Sequence, residues 1–333
     1  MKNSYLVASV AGIATLLGAG FAKAQDLYVT DGSPGSDSIT YYAPGSTTGS
    51  TLSSSLLSDP TGIAYDNVSG SADQGDVFVA NASGSIVTYD PATNTFSDFA
   101  SGLTNPEGLA FDTAGNLYVA DDATSNDGGG VMEYVGGVAS GAKSYASPLS
   151  NPAGIAIDGF GDLYVTVGGN MLARIAPGGG AGSTSLVSIP SPNGLNNPVG
   201  ITFNTTGTAL YVVNSGAPNV EQVTFFLTGS TSVSGSTLTG PVGDIFDANG
   251  NLYVADSGSN EVTEYSLEPG SNGVYTLEGT LTSNLSGPSF LAFAPAPDIG
   301  SVVPEPSTYA MLLCGAVGLY FFQRRRVAAM AKI

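Results

Sequence analysis

Histidine is absent from the 333 residues. A triad base, a histidine-assisted lyase and a histidine-ligated metal site are excluded together, because each needs an imidazole as base or ligand. There is a single cysteine, Cys314, in an apolar run near the C-terminus. The body of the chain can therefore form no disulfide and must cohere by its own sheet packing. Charged residues make up only 11%, and positive charge is the scarcer sign, with eight Lys and Arg against 27 Asp and Glu. Six of the eight (Lys2, Lys23, Arg324, Arg325, Arg326 and Lys332) lie in the two ends, which leaves Lys143 and Arg174 for residues 25–303. Two cations against the 26 acids of that span give a formal charge of −24. Such a surface repels nucleic acid and anionic lipid headgroups and attracts cations, with solubility as the plain account of it. No long amphipathic helix is visible. What is plentiful is glycine, 46 residues of it, among Ser, Thr and Asn, the composition of short strands joined by tight turns.

A repeat organises these residues. Its unit reads Pro-x-Gly, an alternating apolar strand, Asp or Asn, a Gly-containing turn, then Leu-Tyr-Val-Ala-Asp. The first halves start at Pro60, Pro106, Pro152, Pro198, Pro241 and a degenerate Pro288, at intervals of 46, 46, 46, 43 and 47. That period belongs to a four-stranded propeller blade. Second strands follow at Leu27-Tyr28-Val29, Val77-Phe78-Val79, Leu117-Tyr118-Val119, Leu163-Tyr164-Val165, Leu210-Tyr211-Val212 and Leu252-Tyr253-Val254. Third strands include Ile86-Val87-Thr88-Tyr89, Val131-Met132-Glu133-Tyr134 and Glu261-Val262-Thr263-Glu264-Tyr265. Asn and Gly in turns such as Ala248-Asn249-Gly250-Asn251 supply the positive φ of tight hairpins.

The count predicts an all-β, six-bladed propeller over residues 25–295. The first Leu-Tyr-Val strand has no Pro-x-Gly strand before it, and the last Pro-containing strand, Pro288 to Phe293, has nothing after it but linker. Joined, they complete a sixth blade from both ends of the span. A solenoid would need capping ends and would have no reason for this complementary truncation.

The pattern is clearest from Pro241 to Val262, where Gly-Asn-Leu-Tyr-Val-Ala-Asp-Ser-Gly-Ser-Asn-Glu-Val completes the unit. It resembles the NHL-repeat class of six-bladed propellers and their gluconolactonase and streptogramin-lyase-like relatives. Resemblance to the streptogramin lyases implies a chemistry that leans on histidine, which this chain lacks. Resemblance to the gluconolactonases implies a divalent cation at the central mouth, held by Glu, Asn and Asp from first-strand motifs. Here the residues between Pro and Gly are Thr61, Glu107, Ala153, Val199 and Val242. Only Glu107 could ligate, with Asp244 just after Gly243 as a further candidate. A hard cation wants about six oxygens, which this set does not supply. Asn81, Asp121, Asn214 and Asp256 end second strands and are read as caps of the following turns. The run from Asp121 to Gly128 has three carboxylates without EF-hand spacing and is read as a solvated acidic loop. Tyrosines in step with the blades are read as inter-blade packing.

The two ends carry addresses. Residues 1–24 combine Lys2, an apolar stretch from Tyr5 to Phe21 and Ala22-Lys23-Ala24, the pattern of a cleavable signal peptide. After a linker at 296–303, Pro304, Glu305 and Pro306 precede an apolar segment at 309–322, and Arg324, Arg325 and Arg326 follow it. Motif, short span and basic cluster in this order resemble the PEP-CTERM sorting signal of Gram-negative bacteria, covering residues 304–333. The span is shorter than the ~20 residues that cross a bilayer comfortably, and the arginines hold its end in the cytoplasm. The resemblance implies an exosortase as processing partner, transient insertion in the inner membrane, and delivery to the cell surface or an exopolysaccharide or biofilm matrix. Two functional readings follow. The first is a non-enzymatic binding or structural module without cofactor. The alternative is a divalent-metal lactonase or esterase at the central mouth, with Glu107 and Asp244 at a Ca²⁺ site.

Overall fold

In the second strand of each blade, alternate side chains leave on opposite faces of the sheet, and both faces are buried. Leu210 and Val212 share a core cluster with Tyr164 and Leu172, whereas Tyr211 and Val213 join Phe246 and Val254. A strand clamped between two neighbouring sheets has no polar face to show, which is why Leu-Tyr-Val-Ala reads as one apolar run. The repeating tyrosines sit in these seams, as Tyr118 does beside Ile155 and Leu163 of the next sheet.

The computed structural model describes residues 25–295 apart from 34, 72, 123–127, 181, 190–193, 224–229, 234–237, 268–274 and 283. The signal peptide, linker, sorting motif, apolar segment and arginine cluster expected from sequence lie outside the described residues. Among those described, no helix is long and apolar enough to cross a membrane.

Among the described residues twenty-four strands form six four-stranded antiparallel sheets. Blade I holds β4 (Pro60–Tyr65), β5 (Val77–Asn81), β6 (Ser85–Asp90) and β7 (Thr95–Ser101). Blade II holds β8 (Pro106–Phe111), β9 (Leu117–Asp121), β10 (Gly129–Tyr134) and β11 (Ala142–Leu149), with two 3-10 turns at Val135–Gly137 and Ala139–Gly141. Blade III holds β12 (Ile155–Ile157), β13 (Leu163–Val167), β14 (Met171–Ile175) and β15 (Thr184–Ser188). Blade IV holds β16 (Pro198–Phe203), β17 (Leu210–Asn214), β18 (Asn219–Val223) and β19 (Ser230–Ser232). Blade V holds β20 (Pro241–Phe246), β21 (Leu252–Asp256), β22 (Glu261–Leu267) and β23 (Tyr275–Leu281). The sixth sheet has the order β24-β1-β2-β3, pairing β24 (Pro288–Pro295) with β1 (Gln25–Asp31), followed by β2 (Ser38–Tyr42) and β3 (Ser50–Ser53). Its register places Leu27 opposite Phe293 and Val29 opposite Leu291.

First strands line the inside. β24, β4, β8, β12, β16 and β20 lie each beside the next, and β20 returns to β24. The glycine of Pro-x-Gly is dictated by this crowding. A Cβ on Gly108, Gly154 or Gly200 would lie 2.4, 2.4 and 2.6 Å from the carbonyl oxygens of Ala153, Val199 and Val242 in the following blade. On Gly62 it would lie 1.6 Å from the oxygen of Glu107. In the sixth blade Phe290 occupies the glycine position, and the Thr30 hydroxyl fills the seam instead. It accepts the Phe290 N–H at 2.9 Å and donates to the Thr61 carbonyl at 2.6 Å.

Thr166 makes the same bridge in blade III, accepting the Gly154 N–H at 2.8 Å and donating to the Val199 carbonyl at 2.6 Å. It is fully buried. Thr166→Val keeps the shape but leaves the bridge unmade, and the expected result is a loss of about 1–2 kcal/mol, read as a lower urea midpoint at unchanged slope.

Aspartates close the first hairpins. Oδ1 of Asp112 accepts the N–H groups of Ala114 and Asn116, each at 2.9 Å, around Gly115 at φ +83°. Asp158, Asn204 and Asp247 hold their turns the same way.

Candidate functional site

The rim of the ring, where first strands begin and second strands end, is built around proline. In five blades the proline pairs with the last residue of the second strand, as Pro60 does with Asn81 and Pro106 with Asp121. Proline has no N–H to give, so the partner's side chain reaches past it to free N–H groups just upstream. Asn81 accepts from Ser58 at 3.0 Å, and Asp121 accepts from Thr104 and Asn105, each at 2.9 Å. Asn214 accepts from Asn196 at 3.0 Å, Asp256 from Thr239 at 2.8 Å, and Asp31 from Ser286 at 2.8 Å. These residues therefore clamp the connection that enters their own blade. Three of the four expected caps also hold the turn that follows: Asn81 donates to Ser85 Oγ and Asn214 to Asn219 Oδ1, each at 3.0 Å, and Asp256 accepts the Gly258 N–H at 3.2 Å.

Blade III lacks the clamp. The corresponding residue is Val167, which can accept nothing, and the local pairing slips so that the Gly168 N–H bonds the Ser150 carbonyl at 2.6 Å. The first strand begins only at Ile155, three residues after Pro152. A cleft of about 290 Å³ opens here. Its acids are Glu107 and Asp122, its amides Asn151 and Asn197, and its apolar walls include Ala153, Val167 and Val199. Glu107 is half-buried, and its carboxyl is pushed up to about 7, first by burial and then by the charge of Asp122. The Asn105 amide, donating to it at 3.3 Å, works in the opposite direction. Burial also raises Asp122, with Asp121 adding to the effect. Among the described residues no cation offsets this pair. Lys143 is engaged with Glu133 at 3.1 Å and Arg174 with Asp162 at 2.7 Å, the ion pairs found among the described residues.

Asp244 lies elsewhere. Its column in the repeat is otherwise Ile63, Leu109, Ile155, Ile201 and Leu291, side chains that seal one blade against the one before. Its Oδ1 would meet a Cβ on Gly200 at 3.0 Å, the place that Cγ2 of Ile201 takes against Gly154 in the preceding seam, also at 3.0 Å. Neither carboxylate oxygen has a hydrogen-bond partner on another residue, and burial holds the acid well above the usual carboxylate range, with its own backbone N–H working in the opposite direction. Glu107 thus faces the cleft and Asp244 the seam between blades IV and V. Among the described residues no three Cys, Asp or Glu side chains are grouped to hold a metal ion. Of the expected acidic loop, Asp121 is the blade II clamp, Asp122 lines the cleft and Asp127 lies outside the described residues.

No protein-family profile matches the chain, and no curated protein matches it in sequence. Solved structures do. A chain from the crystal structure of a nidogen/laminin complex superposes with a TM-score of 0.64 at 18% identity, covering 81% of this chain and 98% of that one. A protein of unknown function from Bacteroides caccae gives 0.60 at 12% identity, with 81% and 98% covered. Virginiamycin B lyase from Staphylococcus aureus gives 0.55 at 15% identity, with 78% and 85% covered. The likeness is one of fold. A propeller of this shape carries binding and catalysis alike, so function rests on the site. The repeat pattern alone does not point to Asn151 or Asn197. It does mark Val167, the one break in a column otherwise occupied by Asp or Asn.

Proposed function

We propose that this chain is an exported, non-enzymatic binding module of the cell surface or extracellular matrix, engaging its ligand at the rim cleft of blades II to IV. The observation that carries the reading is the break at Val167. Five blades tie down their entering connection, and the sixth opens a concave site lined by carboxylates, amides and apolar walls drawn from three blades, the composition of a small-ligand pocket. The resemblance of residues 304–333 to a sorting signal supports delivery by an exosortase, with the signal peptide at 1–24 supporting export. Structures of this shape include a propeller from a nidogen/laminin complex, an instance of the scaffold serving binding.

Delivery is tested at the motif. Replacing Pro304, Glu305 and Pro306 with alanine leaves the signal peptide untouched, so export continues while the protein stays in the inner membrane with its tail attached. Intact mass by cell fraction, in a host with an exosortase, is the measurement. Wild-type protein at the surface is expected to end near the motif; a surface form that keeps Arg324 to Arg326 would show the tail to be a plain anchor.

A further inference from the structure

We infer that the rim cleft is a receptor for a small polyhydroxylated ammonium ion, its cationic group seated between Glu107 and Asp122. The inference rests on the binding reading above and names the ligand class. Three features of the cleft lead to it. Its volume, about 290 Å³, lies at the lower end of small-molecule pockets, which start at roughly 300 Å³, so the occupant is about the size of one sugar ring. Its charge is of one sign: the two cations of residues 25–303 are committed to Glu133 and Asp162, and the half-buried Glu107 has only the Asn105 amide beside it. A carboxylate taken from water without a counter-charge is costly, and a cation arriving with the ligand offsets that cost. The remaining lining suits a polyol. Asn197 donates to Ser215 Oγ and Asn151 accepts from Ser150 Oγ, which leaves the Asn197 carbonyl oxygen as an acceptor and the Asn151 amide N–H groups as donors for hydroxyl groups, and Val199 and the edge of Ala153 offer surface for ring or chain CH groups.

Binding of this kind moves a proton. Among the described residues Asp122 is the other titratable group lining the cleft and itself feels the charge of Asp121; blades III and IV contribute none, and on the blade I side Gly62 lies against the Glu107 carbonyl while Thr61 bonds the Pro106 carbonyl beside it. Glu107 titrates near 7, whereas an alkylammonium stays charged to about pH 10. The seated cation favours the carboxylate form, so the Glu107 proton leaves to buffer, and affinity rises between pH 6 and pH 8.

The test is isothermal titration of the full chain in detergent with glucamine, an alkylammonium polyol, and with sorbitol, its neutral counterpart. Each is run at pH 7 in two buffers of different ionisation enthalpy. Glucamine is expected to bind at least ten-fold tighter than sorbitol, with heats that differ between buffers. Glu107→Gln should weaken glucamine at least ten-fold and remove the buffer dependence, and Asp122→Asn should weaken it while keeping that dependence. General attraction to the acidic surface would survive Glu107→Gln, which removes one of 27 acids; unchanged glucamine affinity in that variant overturns the inference. Equal binding of sorbitol and glucamine overturns the cation requirement and leaves the binding reading intact. Binding of neither to protein with an intact far-ultraviolet spectrum overturns both. Calcium chloride that binds at Glu107 and excludes glucamine would assign the cleft to a metal and overturn the inference.

Discussion

Asp244→Leu is expected to stabilise the propeller by about 3 kcal/mol at pH 7. The wild-type acid is sealed in a seam with both oxygens unpartnered, a condition that costs about 1–3 kcal/mol for a neutral group and more for a charged one. Leucine returns the column to the type found at Leu109 and Leu291 and adds apolar burial of its own. The space is suited to it, because Ile201 fits the same relation to Gly154. For a domain of this size the gain corresponds to a rise in Tm of about 6 °C or more. The pH dependence has a definite sign. Folding raises the pKa of Asp244, so the folded state binds its proton more tightly than the unfolded chain. Wild-type stability from this group is therefore fullest below the ordinary aspartate pKa of about 4 and is lost as pH rises through the folded value. The advantage of Asp244→Leu should shrink on acidification from pH 7 to pH 4. Asp244→Asn, which cannot ionise but stays unpartnered, should recover only part of the gain. A leucine variant less stable than wild type at pH 7 would mean that the carboxyl has a partner in the seam.

Removing β24 should be more damaging than any point substitution. A chain ending at residue 286 loses the strand paired with β1 and the buried Leu291, Ala292 and Ala294. It also exposes Leu27 and Val29, both buried in that seam, and deprives the Thr30 hydroxyl of the Phe290 N–H. At about 1.5–3 kcal/mol for each large apolar side chain, the loss is on the order of the 5–15 kcal/mol that holds a domain folded. The expected result is a Tm lower by at least 10 °C, or no cooperative transition. A chain ending at residue 303 should melt as the full chain does. Equal melting of the two truncations would contradict the pairing of β24 with β1.

Much of this architecture is legible because inner strands are under the tightest constraint. Pro-x-Gly marks them by steric necessity, and β4, β8, β16 and β20 begin at Pro60, Pro106, Pro198 and Pro241. The outer strands β3, β7 and β15 are mostly exposed, need no alternation, and leave little trace in the pattern. At the rim, types were legible and directions were not. An Asp at a strand end predicts a capping bond, but which N–H it reaches depends on the proline opposite. The cleft is hard to read from sequence because it arises from a missing bond: Val167 packs in the core and makes no counterpart to the side-chain clamp of the five other blades. Asp244 stood out as a carboxylate beside the motif, yet its place in the aliphatic column, visible in the alignment of the repeats, points to a seam.

The pairing of β24 with β1 also sets an order of events. Thr30 and Phe290, joined through one hydroxyl, are 260 positions apart, so the contact is among the most non-local the chain can make, and its loop-closure cost falls due before any reward. Synthesis presents the N-terminal segment first. Blades I to V can each assemble from contiguous sequence, while β1 to β3 wait as an incomplete sheet with an open edge. The sheet lacks its fourth strand until residues 288–295 have been made, so the edge of β1 is the one sheet edge whose cover depends on the far end of the propeller sequence.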